Sequence, residues 1–257
     1  MDDAPTLGLD LDATLIHGAL GTVIADLGRD IEVEQGIAGI HDQVIAEGHR
    51  LVGEDPALAY DWQATVARIC ATREAVVPFD IAERLAEVAD ERTLLLEDAT
   101  VPVLRTIGAR GWRRVVLTNG WRRYQDPALR AVGLTEVIDD VVTADAVGAP
   151  KPAAAMFAAA RGEHGGGLVH LGDRLDDDVL GAHGAGARAI LYCPWAPTAV
   201  HGPCDEVGQG ALRGFLRDLA QRQSARVHPA DPQVRPDAVI TTIEDLPALL
   251  PAFAEPV

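Results

Sequence analysis

Two aspartates, two positions apart, follow the first apolar run of the chain. Residues 7–15 read L-G-L-D-L-D-A-T-L, so Asp10 and Asp12 lie at the end of a predicted strand. Side chains two apart in an extended strand point to one face, and at a strand end they can instead splay around a common ligand. Because adjacent carboxylates repel each other, the pair predicts a bound cation or a carboxyl group with a raised pKa. Mg²⁺ commonly binds one or two carboxylates together with phosphate oxygens.

A second acidic cluster follows another apolar run. The segment L-V-H-L-G-D-R-L-D-D-D-V places Asp173 in a strand-to-helix turn and Asp176, Asp177 and Asp178 at the start of a helix. The helix dipole favours acidic residues at that position, which accounts for Asp176 and Asp177 without a ligand. It accounts less well for Asp173, which is therefore a candidate metal ligand.

Two further signals lie between the acidic segments. In V-V-L-T-N-G, Thr118 ends a predicted strand, and its hydroxyl and the N–H groups of Asn119 and Gly120 suit a phosphoryl oxygen. In G-A-P-K-P, Lys151 lies in a loop that opens a helix, and it is the one lysine among 22 basic residues. A compact ammonium is suited to a crowded anionic centre, whereas arginine presents a planar fork.

Short apolar runs alternate with helical patterns along most of the chain. Strands are predicted over residues 7–11, 115–118, 140–143, 168–171, 189–192 and 238–241. Strands that alternate with helices predict an α/β fold with a doubly wound parallel sheet. In such folds ligands bind at the carboxyl ends of the strands, where the polar residues above are expected to meet.

Two intervals depart from this alternation. Residues 16–94 show helical patterns without a convincing strand, and Asp80 to Glu83 resembles a capping box. We expect this interval to be a small helical domain inserted into a core made of residues 1–15 and 95–257. Residues 193–237 are rich in proline around one helical pattern, 211–222, and are expected to be an irregular insertion. The spacing of Cys193, His201, Cys204 and His228 favours loop residues over a zinc site.

Composition limits the classes of partner. A net charge of −17 argues against a nucleic acid or an anionic membrane surface as the partner, since both favour basic patches. The three cysteines do not predict a disulfide framework. The chain opens without a signal-peptide pattern and lacks an apolar run of membrane-spanning length, so we expect a cytoplasmic protein.

The order of these motifs resembles the haloacid dehalogenase superfamily of hydrolases. The pattern DxDxT, then T-N-G, then K-P, then G-D-x-x-x-x-D follows the ends of successive elements, over about residues 5–15 and 95–192. The resemblance extends to the final P-D-A-V-I-T-T-I-E-D-L. It implies a Rossmann-like core with a helical cap of the C1 type, because the long helical interval lies between Asp12 and Thr118.

The resemblance also implies chemical roles. Asp10 would be the nucleophile that forms an aspartyl-phosphate, and Asp12 would be the general acid and then the general base. Thr118, Asn119 and Lys151 would hold the transferring phosphoryl group. The expected activity is hydrolysis of a small phosphorylated metabolite.

The same resemblance implies a magnesium site. The ligands would be Asp10, Asp173 and the backbone carbonyl of Asp12, with Asp177 and Asp178 in an outer shell. One departure from the family is Ala13, where glycine or asparagine is commoner, although a small residue is expected to fit there.

Other activities on the same fold remain alternatives. A phosphomutase-like transferase would use the same core residues, and a 2-haloacid dehalogenase would leave Asp12 and Asp173 without a role. A phosphonoacetaldehyde hydrolase needs a lysine in the cap, which residues 16–94 lack. A non-enzymatic protein would not need the complete set of motifs. Candidates for substrate contact outside the motifs are Arg29, His41, His49, Arg50, Tyr60, Trp62, Arg68, Arg122 and Arg123.

Overall fold

A seven-stranded sheet forms the centre of the protein. The structure, a computed structural model, describes residues 4–56, 58–163 and 166–254. Its strands are β1 Thr6–Leu9, β2 Ile16–His17, β3 Leu94–Leu95, β4 Arg113–Thr118, β5 Asp140–Thr143, β6 Leu168–Gly172, β7 Arg188–Tyr192, β8 Gly202–Pro203 and β9 Ala238–Ile240. The sheet has the order β5-β4-β1-β6-β7-β9-β8, and β2 pairs with β3 separately. Only β8 in this sheet runs antiparallel to its described neighbour.

Helices connect these strands on both faces of the sheet. They are α1 Leu20–Gln35, α2 Ile40–Glu54, α3 Trp62–Thr72, α4 Ile81–Arg92, α5 Thr100–Ala109, α6 Arg122–Ala131, α7 Ala144–Val147, α8 Ala154–Arg161, α9 Leu180–Gly184, α10 Gln209–Arg222 and α11 Leu246–Leu249. This architecture confirms the predicted doubly wound α/β fold. Among the helices that the structure describes, none combines the length and apolar character needed to cross a membrane. The cytoplasmic location stays a prediction from the sequence.

The register of the central strands brings their carboxyl ends to one edge. Leu9 in β1 lies opposite Val116 in β4 and Leu171 in β6, so these three strands end nearly level. Side chains then alternate between two apolar layers: Val115 and Leu117 face one, and Val116 faces the other. Residues that follow β1, β4 and β6 therefore meet at a single site, as parallel pairing requires.

Helices α1 to α4 lie between β2 and β3 and share a separate apolar cluster. Val23, Leu27, Val44, Val66 and Leu85 are buried in it. The expected cap at the start of α4 is present, because the Asp80 carboxylate accepts hydrogen bonds from the N–H groups of Ala82 and Glu83. Antiparallel β2 and β3 join this helical segment to the sheet.

Some strands were not predicted from the sequence, and others differ from the prediction in their bounds. Residues 16–95 contain the paired strands β2 and β3, which are two residues each and too short to give a hydrophobic pattern. The first strand ends at Leu9 rather than Leu11, because the Leu11 carbonyl accepts bonds from the N–H groups of Leu15 and Ile16 and closes a turn. The strand predicted over 238–241 ends at Ile240.

The segment 193–237 is more ordered than its composition suggests. Helix α10 covers the predicted pattern and begins two residues earlier, and its apolar face, with Leu212 and Phe215, packs against the sheet. Cys193 and Cys204 are buried in the same apolar layer, whereas His201 pairs with Asp245. These residues do not gather as metal ligands in the part of the chain that the structure describes.

His183 ties helix α9 to the end of this segment. Its Nδ1 lies 2.7 Å from the Gln233 carbonyl oxygen, and its Nε2 lies 3.0 Å from an Asp237 carboxylate oxygen. Both partners only accept hydrogen bonds, so the protonated imidazole, which has a donor on each ring nitrogen, satisfies both contacts. Burial lowers the pKa of His183, but the bonds to Asp237 and Gln233 outweigh burial and raise the pKa above its usual value.

We expect His183→Gln to lower the free energy of unfolding by about 1–2 kcal/mol near pH 6. Because a raised pKa in the folded state stabilises only while the group is protonated, the loss should shrink as the pH rises through the pKa of His183. Urea unfolding of wild type and variant at about pH 6 and about pH 9 measures this difference. The control is His41→Gln, since the His41 side chain is 42% exposed and pairs only with the exposed Asp42. An equal loss from His183→Gln at both pH values would contradict the assignment.

The turn after β1 holds Ala13 in a left-handed conformation, with φ of 62°. This conformation costs a residue with a Cβ atom about 1–2 kcal/mol, whereas glycine adopts it freely. The small side chain of Ala13 fits in this turn, as expected from the sequence. Its backbone is nevertheless strained, because the residue carries a Cβ atom.

We expect Ala13→Gly to raise the free energy of unfolding by about 0.5–1 kcal/mol, after allowing for the greater freedom of glycine in the unfolded chain. Denaturant unfolding measures the change. The matched control is Ala86→Gly, in the middle of α4 and exposed, which should cost about 1 kcal/mol. Destabilisation of both variants to the same extent would show that the turn at residue 13 carries no strain.

Candidate active site

Asp10 and Lys151 form a buried ion pair at the carboxyl end of β1. The Lys151 Nζ lies 2.6 Å from Asp10 Oδ1, and the Thr14 hydroxyl donates to Asp10 Oδ2 at 2.8 Å. Burial raises the pKa of Asp10, and the Lys151 charge only partly offsets this. Burial opposes the charge on Lys151, but the carboxylates of Asp10 and Asp178 raise the pKa of Lys151 far above its usual value, so Lys151 stays charged.

Asp178 is the second partner of Lys151. Its Oδ1 lies 2.7 Å from Nζ and 2.8 Å from His170 Nε2. Burial raises the pKa of Asp178, but the charge of Lys151 and the bond from His170 outweigh it, and the net pKa lies below its usual value. The wide π-helical turn Leu175–Val179 turns this carboxylate inward, against the backbone of Gly172. A Cβ atom at Gly172 would lie 2.2 Å from the Asp178 carboxyl carbon, so only glycine fits.

Three carboxylates form a group with metal-ligand spacing. Oxygen atoms of Asp10, Asp173 and Asp178 all lie within 4.8 Å of one another, and no other such group occurs in residues 4–56, 58–163 and 166–254. Burial, together with the charges of Asp10 and Asp178, raises the pKa of Asp173 to about 8. One ammonium thus faces the buried carboxyl groups of Asp10 and Asp178 and the half-buried carboxyl group of Asp173. Three carboxyl groups around one ammonium fit a divalent cation with a preference for oxygen ligands, which would displace the proton of Asp173.

Asp12 lies outside that group and opens towards the cavity. Gln125 Nε2 donates to Asp12 Oδ2 at 2.7 Å, and its contact to the Thr118 hydroxyl oxygen is 3.4 Å. Although Asp12 keeps an exposed surface, the surrounding protein atoms and the charge of Asp10 raise its pKa to about 6. Asp12 can therefore both hold and release a proton near neutral pH.

Asn119 connects the loop of Lys151 with the helical segment. Its side-chain oxygen accepts a 2.7 Å bond from the Lys151 N–H, and its amide nitrogen donates to the Tyr60 hydroxyl at 3.0 Å. A contact of 3.4 Å to Asp177 uses the same amide nitrogen. The structure thus gives the Asn119 side chain a role in placing Lys151, and contact of the Asn119 backbone N–H with phosphate stays a prediction from the sequence.

A cavity of about 730 Å³ lies over these groups. The sheet edge supplies Asp10, Asp12, Thr118, Asn119, Lys151, Asp173, Asp177 and Asp178, and the helical segment supplies His49, Tyr60 and Trp62. Of the other predicted contacts, Arg29 pairs with Asp26, Arg50 and Arg68 pair with Glu47, and His41 pairs with Asp42. Arg122 and Arg123 likewise pair with acids outside the cavity lining.

The sequence did not identify several residues that hold the site. Thr14 belongs to the DxDxT motif but had no assigned role, and His170 lies within the second motif. Gln125 follows Thr118 by seven positions, and nothing in its surroundings marks it. Gly120 indicates the position of Gln125 only indirectly. A Cβ atom at residue 120 would lie 2.0 Å from Gln125 Nε2, so the glycine leaves space for that side chain.

Comparisons with known proteins agree with this geometry. A family model described as haloacid dehalogenase-like hydrolase matches residues 5–186. A glyceraldehyde 3-phosphate phosphatase from Methanothermobacter thermautotrophicus is 35% identical over 36% of the chain and 42% of that protein. A ribulose-1,5-bisphosphate 5-phosphatase from Halopiger xanaduensis is 31% identical over 40% of the chain and 44% of that protein. The matches thus span less than half the length of these relatives.

Solved structures show the same fold. A haloacid dehalogenase (HAD) phosphatase from Thermococcus onnurineus superposes with a TM-score of 0.67 at 20% identity and full coverage of both chains. A 2-haloacid dehalogenase from Pseudomonas syringae pv. Tomato gives 0.63 at 24% identity, covering 98% of this chain and 100% of that one. The chain belongs to the haloacid dehalogenase-like hydrolases.

Proposed function

We propose that the protein is a Mg²⁺-dependent phosphatase that hydrolyses a small phosphorylated metabolite through an aspartyl-phosphate on Asp10. The observation that carries this proposal is the buried Asp10–Lys151 pair beside two further carboxylates at the floor of a cavity. A nucleophilic carboxylate must approach a negatively charged phosphoryl group, so charge neutralisation at that point is the main requirement.

In the first step, an Asp10 carboxylate oxygen attacks phosphorus and the bond from phosphorus to the leaving oxygen breaks. Asp12 donates its proton to the leaving oxygen, which departs as an alcohol. In the second step, Asp12 takes a proton from water, which attacks the aspartyl-phosphate and releases inorganic phosphate and the free Asp10 carboxylate. The raised pKa of Asp12, about 6, suits this alternation of acid and base.

Other side chains position the reacting groups. Thr14 and Lys151 fix the two oxygens of Asp10, and Gln125 orients Asp12. The Thr118 hydroxyl, buried at the end of β4, lies at the cavity wall where it can donate to a phosphoryl oxygen. Asn119 contributes by fixing the backbone of Lys151.

The metal would be held by Asp10 and Asp173, with the Asp12 carbonyl as the further ligand that the family resemblance implies. Mg²⁺ supplies charge neutralisation for the phosphoryl oxygens when bound. A carboxylate oxygen of Asp178 lies within 4.8 Å of those of Asp10 and Asp173, so Asp178 is a further candidate ligand, whereas the sequence placed it in an outer shell. Asp177 bonds to Arg174 and Asn119 and suits an outer position.

Two observations bear on the substrate. Two of the relatives are named as phosphatases of a three-carbon and a five-carbon sugar phosphate. Their names support a small sugar phosphate, or a related compound, as the substrate of this protein. We also propose that residues 16–94 form a cap, because His49, Tyr60 and Trp62 of that segment face the cavity. A cap that covers the site excludes water and selects the substrate.

The decisive measurement is phosphate release from p-nitrophenyl phosphate and a panel of sugar phosphates. Wild type should be active with Mg²⁺ and inactive with EDTA. Asp10→Asn should lower kcat by about 10³-fold or more, because an amide cannot form the aspartyl-phosphate. Asp218→Asn, an exposed acid on α10, is the matched control and should keep full activity.

Three results would contradict the proposal. Undiminished phosphate release by Asp10→Asn would exclude Asp10 as the nucleophile. Phosphoryl transfer between sugars without steady release of phosphate would indicate a phosphomutase. Chloride release from a 2-chloro acid that persists in EDTA would indicate a dehalogenase.

A further inference from the structure

The segment after helix α10 reaches the candidate metal site. Gln223, the first residue past α10, donates from Nε2 to the Asp173 carbonyl oxygen at 2.7 Å. Its Oε1 accepts from the Leu175 N–H at 3.1 Å. One side chain therefore bonds to the backbone on both sides of Arg174, and it bridges the turn that carries Asp173.

This bridge has a rigid base. Leu212, Phe215, Leu216 and Leu219 of α10 are buried against the sheet, which fixes the end of the helix. Ser224 then adopts a left-handed conformation with φ of 49°, and the Ala225 N–H bonds back to the Ala220 carbonyl. The chain next returns to the acidic turn, where the Arg226 N–H donates to Asp176 at 3.2 Å.

We propose that Gln223 is a positioning residue that sets the affinity of the site for its divalent cation. The inference rests on the proposed function, because it assumes that Asp173 is a metal ligand. Asp173 lies in a strand-to-helix turn, and no described residue donates a hydrogen bond to its carboxylate. The backbone of Asp173, which Gln223 holds, therefore determines where the carboxylate points. Partners that orient a metal ligand typically alter metal affinity about 10- to 100-fold when removed.

The test is Gln223→Met, which keeps the length of the side chain and removes both hydrogen bonds. Isothermal titration with Mg²⁺ in the absence of substrate should show a Kd raised about 10- to 100-fold. At saturating Mg²⁺, kcat should return to near the wild-type value. Gln221→Met, at an exposed position in the last turn of α10, is the matched control and should bind as wild type does. If Gln223→Met does not fold, Gln223→Ala, which removes both hydrogen bonds and adds no charge, takes its place.

The outcomes separate the two proposals. Wild type that binds no Mg²⁺ would overturn the proposed metal site itself. Equal affinity for Mg²⁺ in wild type and Gln223→Met would leave that site standing and overturn the role of Gln223. A fall in kcat that saturating Mg²⁺ does not restore would also overturn it.

A separate observation concerns the charge of Arg226. Of the described lysine and arginine side chains that line the cavity, Lys151 pairs with Asp10 and Asp178, and Arg174 pairs with Asp176 and Asp177. Arg226 is exposed at the rim of the cavity, forms no ion pair with a described residue, and donates from Nη1 to the Val52 carbonyl at 3.1 Å. A guanidinium has five N–H donors, so four remain for water or for a ligand.

We infer that Arg226 binds a second anionic group of the substrate, at a point away from the transferred phosphoryl group. Lys151 and the proposed cation neutralise the phosphoryl group and the acidic cluster, whereas the charge of Arg226 is left for another anion. A carboxylate or a second phosphate presents the paired oxygens that a guanidinium fork prefers. This inference also rests on the proposed function.

The test compares matched phosphate esters. Wild type should favour 3-phosphoglycerate over glycerol 3-phosphate, or fructose 1,6-bisphosphate over fructose 1-phosphate, by about 10- to 100-fold in kcat/KM. The first pair detects a carboxylate site and the second a phosphate site. Arg226→Met should lose the preference and keep its activity on the neutral member, and Arg226→Lys should keep part of it. Arg217→Met, exposed on α10, is the control.

Two results would overturn the inference. A wild type without preference in either pair would show that no second anion is bound. An equal fall on both members of a pair in Arg226→Met would show that Arg226 acts through its bond to Val52, by holding the helical segment in place. Failure of all esters to release phosphate would instead count against the phosphatase proposal.

Discussion

The site depends on one buried ammonium among carboxylates. Removing a carboxylate from water costs several kcal/mol unless an opposite charge compensates it. At this site the compensating charge comes from Lys151, the one lysine in the sequence. Its bonds to Asp10 and Asp178 account for two acidic groups, whereas Asp173 is left with a pKa raised to about 8. The fold therefore gathers more carboxyl groups at this point than one ammonium can neutralise, and a divalent cation that displaces the proton of Asp173 would compensate the remaining charge. An ammonium suits this position because it is a compact point charge, whereas a guanidinium spreads its charge over a larger planar fork.

Local backbone features allow this crowding. Gly172 leaves space for Asp178, and the π-helical turn brings three consecutive acids into the interior instead of leaving them on a helix surface. Gly120 leaves space for Gln125 in the same way. These features have no other evident purpose in packing. Replacing either glycine would displace a polar side chain by more than an ångström, and such shifts strongly reduce catalytic efficiency.

The sequence predicted the core strands because each of them is a continuous apolar run that ends at a polar residue. Parallel pairing then brings those ends together, so Asp10, Thr118 and Asp173 could be grouped from the sequence, whereas Lys151, in a loop before a helix, was added by the family resemblance. The contacts made by Gln125 and Gln223 were beyond prediction. Both depend on where a helix end lies in three dimensions, and neither residue differs from an ordinary surface glutamine in its sequence neighbourhood. Strands β2 and β3 were missed because two residues cannot show a period.

The parts of the cavity differ in how strictly the fold determines them. The strand ends fix the reacting groups through sheet register, which cannot change by one residue without exposing the buried face. The facing walls come from α2, the α2–α3 connection and the segment after α10. The segment after α10 is bound to the turn of Asp173 through Gln223, whereas the α2–α3 connection meets the sheet edge through the bond of Asn119 with Tyr60. One such bond contributes only about 0.5–1.5 kcal/mol net. The edge of the sheet and the segment after α10 therefore fix the reacting groups, and we expect the choice of substrate to depend on the walls made by α2 and the α2–α3 connection.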